Sequence, residues 1–290
     1  IDKEGNLINA NVVSIIQNGE EVWIATKFNG IYIYDKTTGE FITRIYENDN
    51  ISLRDRKLKD IFKINEKYMT LITNKDIILV NIGEYLLQKI YKENEHSFTV
   101  KHSYSDGEKI WLASTEGLYC YDTFNDQLML KNDNLLINDI NAFSLTYILP
   151  DKSDEDILWL AGINTGLIKY HKKNGVINQY KDSSLNKSSL INTYTNCMEF
   201  DNSGNLWIGT NMGLYKFDLA ANDFTSYTIE EGLTNNFINS ILVDDNNNLW
   251  ISTNKGLNKI NTSNEEFRRF TRADGIMGYQ FNLNSSLKLD

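Results

Sequence analysis

The sequence predicts an all-β fold, a β-propeller of six complete four-stranded blades plus the first strand of a seventh, and three observations carry that prediction. One phrase recurs in register, its key residue falling at Trp23, Met69, Trp111, Trp159, Trp207 and Trp250, in steps of 46, 42, 48, 48 and 43 residues. Each recurrence has room for four short strands separated by turn-forming residues, which is the period of propeller blades. No stretch shows the apolar spacing of a useful amphipathic helix. The repeats run over about 12–46, 58–91, 98–130, 137–180, 194–227 and 237–270, with a partial seventh at 281–290. Their continuity makes residues 1–290 a single propeller domain.

Within a repeat each part has a physical reason. The first strand alternates apolar residues, as in Val12-Val13-Ser14-Ile15-Ile16 and Ile238-Asn239-Ser240-Ile241-Leu242. A polar turn follows, Asp201-Asn202-Ser203-Gly204-Asn205 in one copy and Asp244-Asp245-Asn246-Asn247-Asn248 in another. Asx and Gly residues supply the left-handed backbone that such hairpins need. Next comes the Trp strand, best preserved as Leu206-Trp207-Ile208-Gly209-Thr210 and Leu249-Trp250-Ile251-Ser252-Thr253, then a short loop ending in Gly213 or Gly256. A third strand rich in Tyr, Ile and Lys leads through another Asx turn to the fourth, marked by Phe41, Phe224 and Phe267. β-Branched and aromatic residues suit such half-buried pleated surfaces. Repeat two is worn: Met69 replaces Trp, and the loop Gly is missing.

The linkers repeat as well. Glu231-Gly232-Leu233 with the Phe237-Ile238-Asn239-Ser240 that follows resembles Glu4-Gly5-Asn6-Leu7 leading to Ser14, and returns as Asp274-Gly275-Ile276 near the end. That last copy opens a seventh unit, with a first strand expected at about 281–289. A chain that starts at Ile1 and stops inside a strand pattern reads as a fragment of a longer protein. It has neither a signal peptide nor a run of eighteen apolar residues.

A net charge of −10 and a pI near 4.9 argue against nucleic acid as a partner, because phosphate contacts need a basic surface. The best basic candidate, Arg54, Arg56, Lys57 and Lys59, is interrupted by Asp55 and Asp60 and reads as a solvated linker. Cys120 and Cys197 fall on strands of different repeats, too far apart for a disulfide. Pro150 closes a strand, where a missing N–H does least harm.

Catalytic chemistry is thinly represented. Five Trp residues at one fixed repeat position serve packing between blades rather than a stacking platform for sugars. Asp244, Asn246 and Asn248 imitate a calcium loop, but Leu249 stands where its Gly belongs and Lys255 where its Glu belongs. Glu199-Phe200-Asp201-Asn202-Ser203-Gly204 departs from a sialidase aspartate box in the residues before and after the Asp, so both read as Asx turns. His96, His102 and His171 occupy unrelated repeat positions, and of these His102 alone is placed to approach a central channel. No nucleophile elbow, His pair, phosphate loop or singled-out carboxylate pair is present, so no cofactor, metal or catalytic residue is assigned.

What varies between repeats is the loop after each Trp strand. In the usual propeller geometry these loops and the interblade linkers open on one face around the channel. Ligand contacts are therefore expected from Phe28, Asn29, Asn74, Asp76, Glu116, Asn164, Asn211, Met212, Asn254 and Lys255. Amides and charges there suit sugar hydroxyls or carboxylates, and an aromatic can stack on a pyranose. The same variation also follows if nothing constrains the loops.

The phrases Leu206-Trp207-Ile208-Gly209-Thr210 with Gly213-Leu214, and Leu249-Trp250-Ile251-Ser252-Thr253 with Gly256-Leu257, resemble the two-component regulator propeller repeat. The linker at Asp274-Gly275 resembles the segment that follows such repeats. The resemblance runs over 12–290 and implies an extracytoplasmic, non-catalytic sensor domain of a membrane-anchored signalling protein, periplasmic or at the cell surface. Its implied partners are an oligosaccharide or other polar small molecule and downstream domains of the same chain. These are an immunoglobulin-like module, a transmembrane helix and a histidine kinase or diguanylate cyclase, in a full-length protein that is expected to form a homodimer. Two alternatives stay open. A propeller lyase or glycosidase predicts His, Glu or Arg with shifted pKa values at the channel mouth. An intracellular interaction scaffold predicts a large exposed apolar patch.

Overall fold

The computed structural model describes residues 11–49, 51–54, 56–74, 76–91, 99–122, 124–125, 127–130, 144–180 and 194–276. The expected strand at 281–290, Lys75 and His96 lie outside the described residues. The backbone divides into two compact units, Ile1–Lys131 and Asn132–Asp290. Each holds three four-stranded antiparallel sheets of consecutive strands, and these six sheets are the blades of a β-propeller.

In the first unit, sheet one contains β1 (Val12–Asn18), β2 (Glu21–Thr26), β3 (Gly30–Asp35) and β4 (Phe41–Ile45). Sheet two contains β5 (Leu58–Lys63), β6 (Tyr68–Thr73), β7 (Ile77–Asn81) and β8 (Leu86–Tyr91). Sheet three contains β9 (Val100–Ser105), β10 (Lys109–Ser114), β11 (Gly117–Asp122) and β12 (Gln127–Leu130). In the second unit the sheets are β13 (Leu145–Pro150), β14 (Ile157–Gly162), β15 (Leu167–His171) and β16 (Gly175–Tyr180); β17 (Thr195–Phe200), β18 (Leu206–Thr210), β19 (Leu214–Asp218) and β20 (Asp223–Tyr227); and β21 (Ile238–Val243), β22 (Asn248–Thr253), β23 (Gly256–Asn261) and β24 (Glu266–Phe270). Among the described residues the helical content is one 3-10 turn, Arg272–Asp274.

Trp23, Trp159 and Trp207 bury their indoles against the following sheet. Trp159 of β14 meets Phe200 of β17 and Phe217 of β19, with ring centroids 6.5 and 6.0 Å away. Trp207 shares a core with Ile241, Leu249, Ile251 and Ile260 of the next sheet, and Trp23 one with Ile61, Leu71 and Val80 of its own neighbour. Met69 is fully buried in the same core as Trp23, so the worn repeat keeps its apolar volume. Trp250 is half-buried, against Phe270 at 5.3 Å. Each fully buried aromatic of this kind removes enough apolar surface to contribute on the order of 2–3 kcal/mol.

Every indole is also tied at its polar edge. Trp23 Nε1 donates to Glu21, Trp111 to Asp106, Trp159 to Asp151, Trp207 to Asp201 and Trp250 to Asp244, over 2.7–3.2 Å. The four aspartates sit in the hairpin before the Trp strand, so one carboxylate closes the turn and anchors the core. Asp201 accepts from the Ser203 and Asn205 N–H groups, both at 2.9 Å, and from the Asn205 amide at 2.8 Å. Asp244 accepts likewise from Asn246 and Asn248. These oxygens are occupied by N–H donors, as the Asx-turn reading requires and a calcium loop does not.

The loop glycines have a steric cause. Gly213 (φ 153°) and Gly256 (φ 121°) lie in backbone regions that L side chains avoid, and a Cβ there would meet Tyr227 O at 2.8 Å or Phe270 O at 2.9 Å. The end of the fourth strand passes directly over the start of the third. First and second strands share a further device: in all six sheets the register shifts by one residue near the start of the first strand. The extra residues are Val13, Lys59, Lys101, Thr146, Asn196 and Asn239. Cys120 and Cys197 are buried thiols, and no disulfide joins them.

Candidate functional site

Four of the loops after the Trp strands are held by the hydroxyl that ends the strand, at Thr26, Ser114, Thr210 and Thr253. Thr210 Oγ1 donates to Gly213 O (2.8 Å) and accepts from the Met212 N–H (3.0 Å). Thr253 does the same for Gly256 O (3.0 Å) and the Lys255 N–H (3.0 Å). In the first unit Thr26 bonds Gly30 O (2.7 Å) and the Asn29 N–H (3.1 Å), and Ser114 bonds Gly117 O (2.9 Å) and the Glu116 N–H (3.1 Å). The backbones of Asn29, Glu116, Met212 and Lys255 are therefore fixed, an arrangement suited to recognition.

Side-chain placement divides the expected contact residues. In the first unit Phe28 is 50% exposed and Glu116 is exposed; in the second, Asn164, Met212 (57% exposed) and Lys255 are exposed. Asn164 takes φ 57°, a left-handed conformation that asparagine tolerates. The remaining residues are engaged in bracing. Asn74 accepts the Lys57 N–H on its amide oxygen (3.1 Å) while its own N–H donates to Lys57 O (2.9 Å). Asn211 clasps Tyr194 in the same way, at 2.8 and 3.1 Å. Asn254 accepts from the Asn239 amide at 3.0 Å. The Asn29 carbonyl accepts from Arg44 Nε at 2.8 Å.

Asp76 stands where the other repeats carry the loop glycine, and it is buried at 3% exposure. Its carboxylate accepts Arg56 Nε (3.0 Å) and Thr73 Oγ1 (2.7 Å), while Arg56 also reaches Ser52 O. A buried carboxylate with both a guanidinium and a hydroxyl is satisfied; removing Arg56 would strand its charge, and removing the Thr73 hydroxyl would cost one hydrogen bond.

The basic linker differs from the solvated loop expected of it. Arg54 pairs with Glu47 at the surface, and Arg56 is used by Asp76. Asp60 turns to Ser14 and Ser103 on the neighbouring first strands, β1 and β9, and burial raises its pKa. Lys57 and Lys59 are left beside two other lysines. Leu58 N–H donates to Lys27 O (3.0 Å), which brings the β2–β3 loop against the start of β5. Lys59 and Lys101 are the extra residues of β5 and β9, whose strands touch. Burial lowers Lys59 to about 8, and repulsion from Lys57, Lys101 and Lys27 adds to the effect; Lys57 is lowered by the same two causes. Next to Lys101, burial lowers His102 to about 4, leaving it neutral at physiological pH. Sequence reading missed this grouping because the four lysines come from three repeats and converge only through the strand register.

Residues 189–212 and 232–255 match the family described as two component regulator propeller. Two similar solved structures are extracellular domains of proteins assigned as hybrid two-component systems from B. thetaiotaomicron. One is 23% identical, with TM-score 0.72, over 97% of this chain and 37% of that one. The other is 20% identical, with TM-score 0.65, over 96% and 35%. A virginiamycin B lyase from Staphylococcus aureus with quinupristin is 14% identical, with TM-score 0.66, over 92% and 86%. This chain therefore spans little more than a third of the two-component relatives, and identities at this level speak to the fold. No curated protein matches the sequence.

Proposed function

Because the chain carries repeats of the two-component regulator propeller family, we propose that it is the ligand-sensing, non-catalytic part of a membrane-anchored signalling protein. The observation that carries this reading is the family match at 189–212 and 232–255 on blades whose fold recurs in extracellular domains of two-component systems. On this reading the domain lies outside the cytoplasm, as a periplasmic or surface module. Its output passes to signalling domains further along the same chain, in a homodimeric full-length protein. The ligand is an oligosaccharide or another polar small molecule.

The exposed loop residues are the contacts we assign: Phe28 and Glu116 in the first unit, and Asn164, Met212 and Lys255 in the second. Asn29, Asn74, Asp76, Asn211 and Asn254 support them, since their groups already brace loop or strand. Isothermal titration with a panel of neutral oligosaccharides tests the reading. Met212→Ala with Lys255→Ala, or Phe28→Ala with Glu116→Ala, is expected to weaken binding about tenfold while the melting temperature holds, since each pair removes contact without removing a brace. Binding that survives both pairs, or that maps to the hairpins of Asp201 and Asp244, overturns the assigned contacts.

A further inference from the structure

We propose that Lys27, Lys57, Lys59 and Lys101 form a binding site for a small multivalent anion, one carrying phosphate, sulfate or several carboxylate groups. Four ammonium groups gathered on a chain of net charge −10 call for an explanation, because each prefers a carboxylate to another ammonium. Among the described residues none of the four is in an ion pair. Two acids of the same sheet are committed elsewhere: Asp60 bonds Ser103 and Ser14, and Asp76 holds Arg56 and Thr73.

The fold builds the grouping rather than leaving it to flexible surface chains. Lys57 is clasped through its backbone by Asn74, and Lys27 is fixed through Leu58 N–H on its carbonyl and by its own N–H on Asn11 O (2.8 Å). Lys59 and Lys101 are the inserted residues of two touching strands, and all four side chains are half-buried. The second unit shows what the inserted position does when it carries no charge. There Thr146 Oγ1 donates to Thr195 O (2.7 Å), Asn196 Nδ2 to Ile238 O (2.7 Å), and Asn239 Nδ2 to Asn254 Oδ1 (3.0 Å). The first two tie the first strands of adjacent sheets, and the third ties β21 to the loop after β22; the first unit gives up two such ties for cations. Lys27 Nζ also lies 5.5 Å from the ring centre of exposed Phe28, so an apolar face borders the charge. Half-buried ammonium groups bind anions more strongly than exposed ones, and two or more negative charges would offset the mutual repulsion.

This inference rests on the sensor reading only for its biological use; the site itself stands on the lysines. The test is calorimetric and thermal titration of the whole chain with pyrophosphate, sulfate and citrate at low ionic strength, against sodium chloride at matched ionic strength. A neutral oligosaccharide series runs in parallel. Ligand that binds the folded state raises the melting temperature by mass action. The expected result is binding of at least one of the three anions. Lys59→Gln with Lys101→Gln should weaken it about tenfold or more, and the exposed Lys36→Gln less than about twofold. The tightest of the three probes names the class of anion. The double variant without ligand is expected to melt no lower than the parent, since it removes repulsion, and that guards against reading misfolding as lost binding. No anion response beyond sodium chloride, or a response equal in the parent and the double variant, overturns the proposal. Neutral saccharide binding that ignores the lysines would leave the sensor reading standing while the absence of anion binding removes this site.

Discussion

Position 209 carries glycine where the other Trp strands carry Ala25, Ala113, Ala161 or Ser252. A Cβ at 209 would come within 2.5 Å of Cys197 Sγ and 2.6 Å of Ile238 Cγ2, so the β17 thiol and the next sheet leave no room for a methyl group. Gly209→Ala is therefore expected to destabilise by about 1–3 kcal/mol, the usual range for overpacking a filled core. Cys197→Ala should recover part of that loss, because it removes the Sγ contact but leaves Ile238 in place. A double-mutant cycle by denaturant unfolding reads the coupling, and strict additivity would show that the two residues do not compete for the same space. Burial raises the Cys197 thiol pKa, so it takes part here as an apolar filler and not as a nucleophile.

At the scale of the element, the indole of a Trp strand joins two sheets and closes a hairpin. Trp207→Ala is expected to cost about 3–5 kcal/mol, since it leaves a cavity beside Tyr227 (5.6 Å between rings) and removes one of the donors to Asp201. Melting of the variant measures it; an unchanged melting temperature with ligand binding lost would move Trp207 from core to site. Much of this level was legible in the sequence. A fixed Trp every forty-odd residues gave the sheet count, and the Asx residues before it gave the hairpins, because both are local patterns. The bracing amides of Asn74 and Asn211 were not legible, since each bonds a residue 17 positions away. Met69 and Asp76 made repeat two look eroded, whereas one fills the core and the other exchanges a glycine for a buried ion pair. The lysine grouping was hidden for the same reason: Arg54, Arg56, Lys57 and Lys59 look alike in a row, and only packing decides which cations find acids.

For the molecule as a whole, three kinds of titrating group set how stability responds to acid. Burial alone would raise Asp244 and Asp151, but hydrogen bonds outweigh it, from Asn248, Trp250 and Asn246 in one case and from Trp159, Ser153 and Asp154 in the other, so both lie below the ordinary 3.8. A carboxylate lowered by folding contributes stability at and above its unfolded value and loses it as pH falls through the lower, folded one. His102 is also lowered by folding, from 6.5 to about 4, but as a base: between those values the unfolded chain binds the proton first, so stability declines as pH drops through that window. Asp60 is raised by burial and acts the other way, taking its proton in the folded state first and returning stability as pH falls toward 3.8. The melting temperature should therefore decline from about pH 6.5 toward 4, less steeply than His102 alone would dictate, and then fall more sharply below 3.8 as the hairpin carboxylates protonate. His102→Asn should flatten the upper limb and leave the lower one. Asp244→Asn should cost about 1–3 kcal/mol at neutral pH, the loss of a charged acceptor for several N–H groups, with the difference from the parent shrinking below pH 3.8. Melting curves at half-unit steps of pH separate the limbs. If His102→Asn leaves the upper limb unchanged, the imidazole is not the group that the folded chain keeps neutral, and the decline belongs to carboxylates elsewhere in the chain.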